Sequence, residues 1–367
     1  MIQTVPDGEE VVATQAKASQ LPSPPLLIVE SVTEFMDTHG LGSGPLSWAR
    51  IGDGQSNITY RIQRGREVFV LRRGPRPPLP KSTHDMVREA RIQQLVRRAG
   101  VPTPEILAVC EDTTVLGVPF YIMSFLRGTI ITDRIPPNLN SIEQREATSV
   151  ALVDTLVDLH QLDVSSGELA AIGRPEGYLG RQVDLFSGLW DVNTTRNLPA
   201  VEMIGSWLAR NIPDSQAASV IHGDYRTGNV MFAVRSPARV SAILDWELAT
   251  IGDPLADLGY LTATYAEHGS IPTPLELTPV TRERGYLSRS QLITRYRERT
   301  DLDLESLPWY QVLALWKAAI FSESIYTRWL KGERPNDTTF GPALEIGVPQ
   351  LLQGALRFTA INTAVSR

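Results

Sequence analysis

The chain predicts an α+β fold in two lobes, an antiparallel sheet with one helix first and a mostly helical lobe after it. Three observations lead there. Strand-like runs separated by turns and linkers fill the region before residue 127. Beyond 128–130 the apolar period lengthens, and Val150, Val153, Leu156, Val157 and His160 recur as on one helix face. Within that helical half, short strands at 218–244 frame a dense polar cluster. The expected bounds are a flexible arm at 1–25, an N-terminal lobe at 26–127 and a C-terminal lobe at 128–367.

The elements follow in order. The arm ends in Leu21-Pro-Ser-Pro-Pro25, and Ile28, Val32, Phe35 and Met36 then mark a helix stopped by Gly40. Gly52-Asp-Gly54 precedes a strand in which Ile58, Tyr60 and Ile62 alternate. Such a glycine pair can turn backbone N–H groups toward phosphates, though most are plain turns, and it lacks the GxxxxGK[ST] pattern. Gly65 turns the chain into a second strand, Val68 to Leu71, which ends in Arg72 and Arg73. A helix at 84–99 carries Glu89. Arg72 and Glu89 can form a phosphate-facing cation and its carboxylate partner, or an ordinary surface ion pair. After the Val101-Pro-Thr-Pro104 linker come strands at 106–109 and 119–125. The end of the second offers backbone groups near Ser124 and Leu126 to an adenine ring. His160 reads as a satisfied core histidine. Helices are expected at 291–299 and 309–330, where Trp309, Trp316, Phe321, Tyr326 and Trp329 read as core.

The polar cluster is His222-Gly-Asp224 with Asn229 five positions beyond the aspartate, followed by Leu244-Asp245-Trp246-Glu247. That is the order of a phosphoryl-transfer site: a carboxylate base, a metal-holding amide, then a metal-holding carboxylate. A loose, metaphosphate-like transition state needs orientation and late proton removal more than a strong base, so an aspartate suits the first role. Mg²⁺ takes hard oxygen ligands, few of them from protein, so Asn229 and Asp245 suffice beside ATP phosphates. Asp245 ends an apolar run, Val240 to Leu244, where a charge is costly without a cation or several donors. His222 is expected to orient the loop by hydrogen bonds rather than to transfer protons. Glu247 is left between a second metal contact and a turn cap.

Composition narrows the rest. Net charge is −6, and no dense Lys/Arg run marks a nucleic-acid surface. The single cysteine, Cys110, permits no internal disulfide and reads as a buried core residue in a reducing, cytoplasmic setting. No apolar run is long enough to span a membrane, and the polar, acidic start is unlike a signal peptide. A monomer or homodimer is expected, with a small-molecule hydroxyl acceptor as its partner.

Gly54-Gln-Ser-Asn-Ile-Thr-Tyr60, residues 221–232 and residues 244–258 together resemble the aminoglycoside phosphotransferase / choline kinase-like family, which shares the protein-kinase fold. The similarity runs from about Trp48 to Leu330. With Val70-Leu-Arg72, Tyr178-Leu-Gly-Arg-Gln182 and Asp245-Trp-Glu247, it looks most like the kinase-like domain of acyl-CoA dehydrogenase family members 10 and 11 and its stand-alone bacterial relatives. The resemblance implies Asp224 as base and Asn229 and Asp245 as Mg²⁺ ligands. It places Arg72 where lysine is usual, Glu89 as its partner, and Asp257 as a structural carboxylate under the loop. Gly52, Gly54, Ser56, Asn57, Arg72, Glu89, Ser124 and Leu126 then make the ATP site. Protein kinases are disfavoured, because Gly252-Asp-Pro follows Asp245 almost at once. Residues 258–367 hold 12 Lys/Arg against 11 Asp/Glu, without the acidic bias that a polycationic aminoglycoside would need. The resemblance points instead to a hydroxy acid or its CoA thioester, for which Arg181, Arg289 or Arg295 would be useful. The other reading is a nucleotide-binding pseudoenzyme acting through partner contacts.

Overall fold

A computed structural model describes residues 10–52, 57–77, 84–270, 272–334 and 337–365, with side chains as far as 359. The chain divides into two compact units, one up to Leu126 and one from Arg127.

The first unit is built on a five-stranded antiparallel sheet among the described residues. Its strands are Leu46–Arg50, Ile58–Arg64, Glu67–Arg73, Ile106–Cys110 and Phe120–Ser124. The last strand lies between the third and the fourth. The alternation read from Ile58, Tyr60 and Ile62 is a true two-residue period, since all three are buried and their neighbours are not. Gly65 takes a positive φ of 57° at the hairpin turn and sets Ile62 opposite Phe69. One sheet face buries Tyr60, Ile62, Leu71, Phe120 and Ile122 with Val32 and Met36 of helix Val29–Thr38. The other packs Tyr121 and Ile106 against Met86 and Ala90 of helix Met86–Arg98.

The arm expected to be flexible is tied down from Glu10 onward. Val11 and Val12 pair in parallel with Leu27 and Ile28. The Tyr60 hydroxyl donates to the Glu10 carboxylate at 2.7 Å. Arg73, wholly buried, donates to the carbonyls of Leu26 and Leu116 at 2.8 and 3.1 Å. Burial pulls the Arg73 guanidinium down to about 10, so these carbonyls are what keep a cation tolerable there. Sequence composition alone could not show that the carbonyls of Pro25 and Leu26 are among its acceptors.

The second unit is mostly helical. Its long helices are Ile142–His160, Tyr178–Asn193, Pro199–Arg210, Leu307–Leu330 and Phe340–Val365. Shorter ones are Leu255–Thr264 and Arg289–Arg297. Helix Arg289–Arg297 begins early because Ser288 and Gln291 form a capping box. Helix Leu307–Leu330 is the centre of the unit, packing on the helices at 178–193, 199–210, 255–264 and 340–365. Gly259 permits a close approach to Leu307–Leu330, since a Cβ there would lie 2.5 Å from Tyr310. Trp309, Trp316 and Tyr326 are buried, as expected, and Trp329 stacks on Tyr326. Phe321 is a correction: it is 64% exposed. The helical period put it near the others, but its position turns outward on a helix with packing on several sides.

Two small sheets complete the unit. Val230–Ala233 pairs with Val240–Ile243 on one side and Gly128–Ile130 on the other. Ser219–Ile221 pairs with Thr250–Gly252. Among the described residues no helix is long and apolar enough to cross a membrane.

Candidate active site

Strand Ser219–Ile221 is fully buried and delivers the chain to His222. There the backbone must turn sharply, and Gly223 does so at φ +85°. A Cβ on Gly223 would meet the Leu248 Cβ at 2.8 Å and the Leu248 carbonyl oxygen at 2.9 Å. The turn is held from below by Asp257, in the first turn of helix Leu255–Thr264. Its carboxylate accepts from the N–H of His222 at 2.6 Å and of Gly223 at 2.8 Å, with His160 Nε2 at 3.4 Å. Burial alone would raise this carboxyl. The His160 hydrogen bond, the neighbouring imidazoles and the backbone donor outweigh it and leave it below the ordinary carboxylate value. The structural carboxylate implied by resemblance is thus in contact with the loop.

His222 is fully committed. Its Nδ1 accepts from the Asp224 N–H at 3.3 Å, which puts the ring proton on Nε2. Nε2 then donates to the Leu244 carbonyl at 2.9 Å. The ring therefore joins the loop to the residue before Asp245. Trp246 closes over it edge-on, with ring centroids 5.0 Å apart.

Asp224 is held by Asn229 and flanked by Arg226 and Tyr260. Asn229 Nδ2 donates to its Oδ2 at 2.6 Å and to its carbonyl at 2.9 Å. Arg226 Nε lies 3.3 Å from Oδ1. The Tyr260 phenol neighbours the same carboxylate; burial first, and the Asp224 charge second, push that phenol well above its usual value. Because the Asn229 amide nitrogen is spent on Asp224, its Oδ1 is the atom left to accept or to ligate. The short 3₁₀ turn Thr227–Asn229 and the bond from Leu244 N–H to the Asn229 carbonyl, 2.8 Å, hold that amide in place.

Asp245 follows strand Val240–Ile243 in a left-handed conformation, φ +67°, that few non-glycine residues adopt. It is half-buried, as is Glu247, while Trp246 between them is wholly buried and donates from Nε1 to the Ile243 carbonyl at 3.0 Å. Asn229 Oδ1 and the Asp245 carboxylate are hard oxygen donors, which fits Mg²⁺. Among the described residues no group of three or more His, Cys, Asp or Glu is placed to hold a metal. A cation here would take its other ligands from substrate and water.

In the first unit Arg72 Nε lies 3.1 Å from Glu89 Oε1. Glu89 is 1% exposed and also accepts from the Tyr121 hydroxyl at 3.0 Å. The pair is therefore an interior one, and the surface-pair reading falls. Asn57 is buried, its Oδ1 bonded to His84 Nδ1 at 2.8 Å. Gly52 has φ +78° with open space at its Cβ position, while Gly54 and Ser56 lie outside the described residues. Ser124 is committed to its neighbour strand: its N–H donates to the Glu105 carbonyl at 2.8 Å, and its hydroxyl accepts from the Glu105 N–H at 2.9 Å. Leu126 closes the unit.

Sequence reasoning missed Arg226 and Tyr260. Arg226 lay inside the motif at an unassigned position, and Tyr260 is distant in sequence, on a helix whose facing cannot be read without the fold. The three arginines suggested for the acceptor are each occupied. Arg181 donates to the carbonyls of Glu176 and Arg174. Arg289 bonds the Tyr265 carbonyl and Glu276, and Arg295 makes a two-pronged pair with Asp154. The turn at Gly223 gives a stability test. Gly223→Ala should cost about 3 kcal/mol, from the positive φ and the Leu248 backbone together. Urea unfolding measures it, and a loss under about 1 kcal/mol would refute that account.

Residues 47–299 match the model of the phosphotransferase enzyme family. Acyl-CoA dehydrogenase family member 11 of Rattus norvegicus is 32% identical over 320 residues, covering 85% of this chain and 41% of that protein. Acyl-CoA dehydrogenase family member 10 of Mus musculus is 36% identical over 238 residues, covering 65% of this chain and 22% of that protein. The chain thus spans well under half the length of these relatives. A crystal structure of a putative aminoglycoside phosphotransferase from Ralstonia eutropha JMP134 superposes with a TM-score of 0.70 at 26% identity, covering 89% of this chain and 98% of that one. The α+β architecture is that kinase-like fold.

Proposed function

Because the chain belongs to the phosphotransferase enzyme family, we propose that it moves the γ-phosphate of ATP to a hydroxyl of a small metabolite. One observation supports this most: Asn229 holds the Asp224 carboxylate at 2.6 Å while keeping its own Oδ1 for a cation. Asp224 accepts the acceptor's hydroxyl proton as the new oxygen–phosphorus bond forms. The bond from the γ-phosphorus to its bridging oxygen breaks, and ADP leaves. Arg226, beside Asp224, adds positive charge where the transferring group's equatorial oxygens gather it. Mg²⁺, held by Asn229 Oδ1 and Asp245, would neutralise the β- and γ-phosphates when bound. The buried Arg72–Glu89 pair supplies the phosphate-facing cation of the first unit.

A hydroxy acid or hydroxyacyl-CoA is favoured over an aminoglycoside as acceptor. The even charge of residues 258–367 argues against a polycation, and the relatives named for acyl-CoA chemistry argue for an acyl substrate. The test is ADP release over a broad hydroxyl library with ATP and Mg²⁺. Turnover of at least one acceptor, abolished by EDTA, is the expected result. Tight ATP binding with silence across the library would instead mark a pseudoenzyme.

A further inference from the structure

Lys317 lies in the middle of helix Leu307–Leu330, the most heavily packed helix of the second unit. Its ammonium donates to Gln182 Oε1 at 2.6 Å and sits 4.7 Å from the centroid of the Phe186 ring. Both partners are on helix Tyr178–Asn193, and neither carries charge. Other cations of this unit are satisfied differently. Arg196 meets the buried Glu323, Arg282 and Arg289 share Glu276, and Arg295 meets Asp154. Lys317 has no ion-pair partner among the described residues. An amide oxygen and a ring face are poor compensation for a half-buried ammonium, which can donate three hydrogen bonds. Burial pulls its pKa down to about 8, offset in part by the charge of Asp257.

Its position ties it to the catalytic loop. Seven residues earlier, two turns along the same helix face, the Tyr310 hydroxyl donates to Asp253 at 2.8 Å. Tyr178, one turn before Gln182, packs on Gly252, where a Cβ would lie 2.9 Å from its ring. Asp253 and Asp257 flank the start of the helix that carries Tyr260 to Asp224. Helix Tyr178–Asn193 thus touches Lys317 through Gln182 and Phe186 and touches Gly252 through Tyr178, and the Asp257 charge under the loop is felt at Lys317.

We propose that Lys317, steadied by Gln182, binds an anionic group of the phosphate acceptor and so selects acidic hydroxyl compounds. The anionic oxygens are a carboxylate if the acceptor is a free hydroxy acid, or phosphates if it is the CoA thioester. This rests on the phosphotransferase reading for its turnover arm, but not for its binding arm.

The test compares the full chain with Lys317→Met, Lys317→Arg and Gln182→Leu. The acceptors are a chain-length series of hydroxy acids, their CoA thioesters and their uncharged amides. For an anionic acceptor, Lys317→Met should raise KM about 10- to 100-fold with a much smaller change in kcat. Lys317→Arg should restore part of the loss, and Gln182→Leu should give an intermediate KM. The amides, by contrast, should be used equally by wild type and Lys317→Met. A defect confined to free acids identifies the carboxylate, and one confined to thioesters identifies the phosphates. Lys317→Met should melt no lower than wild type, because it removes a poorly compensated charge. A lower melting temperature with unchanged KM would assign Lys317 to structure and overturn the proposal. If no acceptor turns over, calorimetry with the same acids and thioesters decides. Binding lost in Lys317→Met upholds the anion site even where the kinase reading fails, and no binding by wild type refutes it.

Discussion

Replacing Asp224 with alanine should lower turnover about 10³-fold while nucleotide still binds. The size follows from what the side chain does. Its Oδ2 is pinned at 2.6 Å by Asn229 and its Oδ1 faces Arg226 at 3.3 Å, so the carboxylate is an oriented acceptor with little freedom. Asp224→Asn separates orientation from proton transfer. An amide can present its carbonyl to Asn229 and keep the geometry, yet it cannot take the acceptor's proton. Both variants should therefore fall together in single-turnover ADP formation. If Asp224→Asn retained wild-type turnover, Asp224 would be a positioning group, and the base would have to be sought elsewhere.

Asp257→Asn should cost about 3 kcal/mol of stability and also slow turnover. Its carboxylate accepts from two consecutive backbone N–H groups, and an amide must turn a donor toward one of them. The same residue makes the fold sensitive to acid. Its folded-state pKa lies below the ordinary carboxylate value of 3.8, so the folded protein binds this proton more weakly than the unfolded chain does. The stabilisation is complete above that ordinary value and is lost as pH falls through the folded-state pKa. Urea midpoints for wild type should drop through this acid window, and those for Asp257→Asn should drop less. Parallel profiles would show that another group controls acid unfolding.

What the sequence revealed depended on how local each interaction is. The hairpin at Gly65 and the order His222, Asp224, Asn229, Asp245 were legible because spacing along the chain sets their geometry. Arg72 and Glu89 were legible as a pair, but only packing showed Glu89 to be interior. Thr250–Gly252 escaped notice because a three-residue strand has no period to read. Helix Phe340–Val365 did too, with Pro349 interrupting its pattern. The docking of Val11 and Val12 required knowing that Leu27 and Ile28 would offer a strand edge. Tyr260 reaches from a helix to a loop and Lys317 from one helix to another, and a single sequence does not disclose which face of a buried helix meets which neighbour.

The pairing of Thr250 with Ile221 has a consequence for control. Only Trp246, Glu247, Leu248 and Ala249 separate Asp245 from that pairing, and Trp246 and Ala249 are buried. There is no slack chain here to be phosphorylated, swung out or refolded, so this carboxylate has no built-in off position.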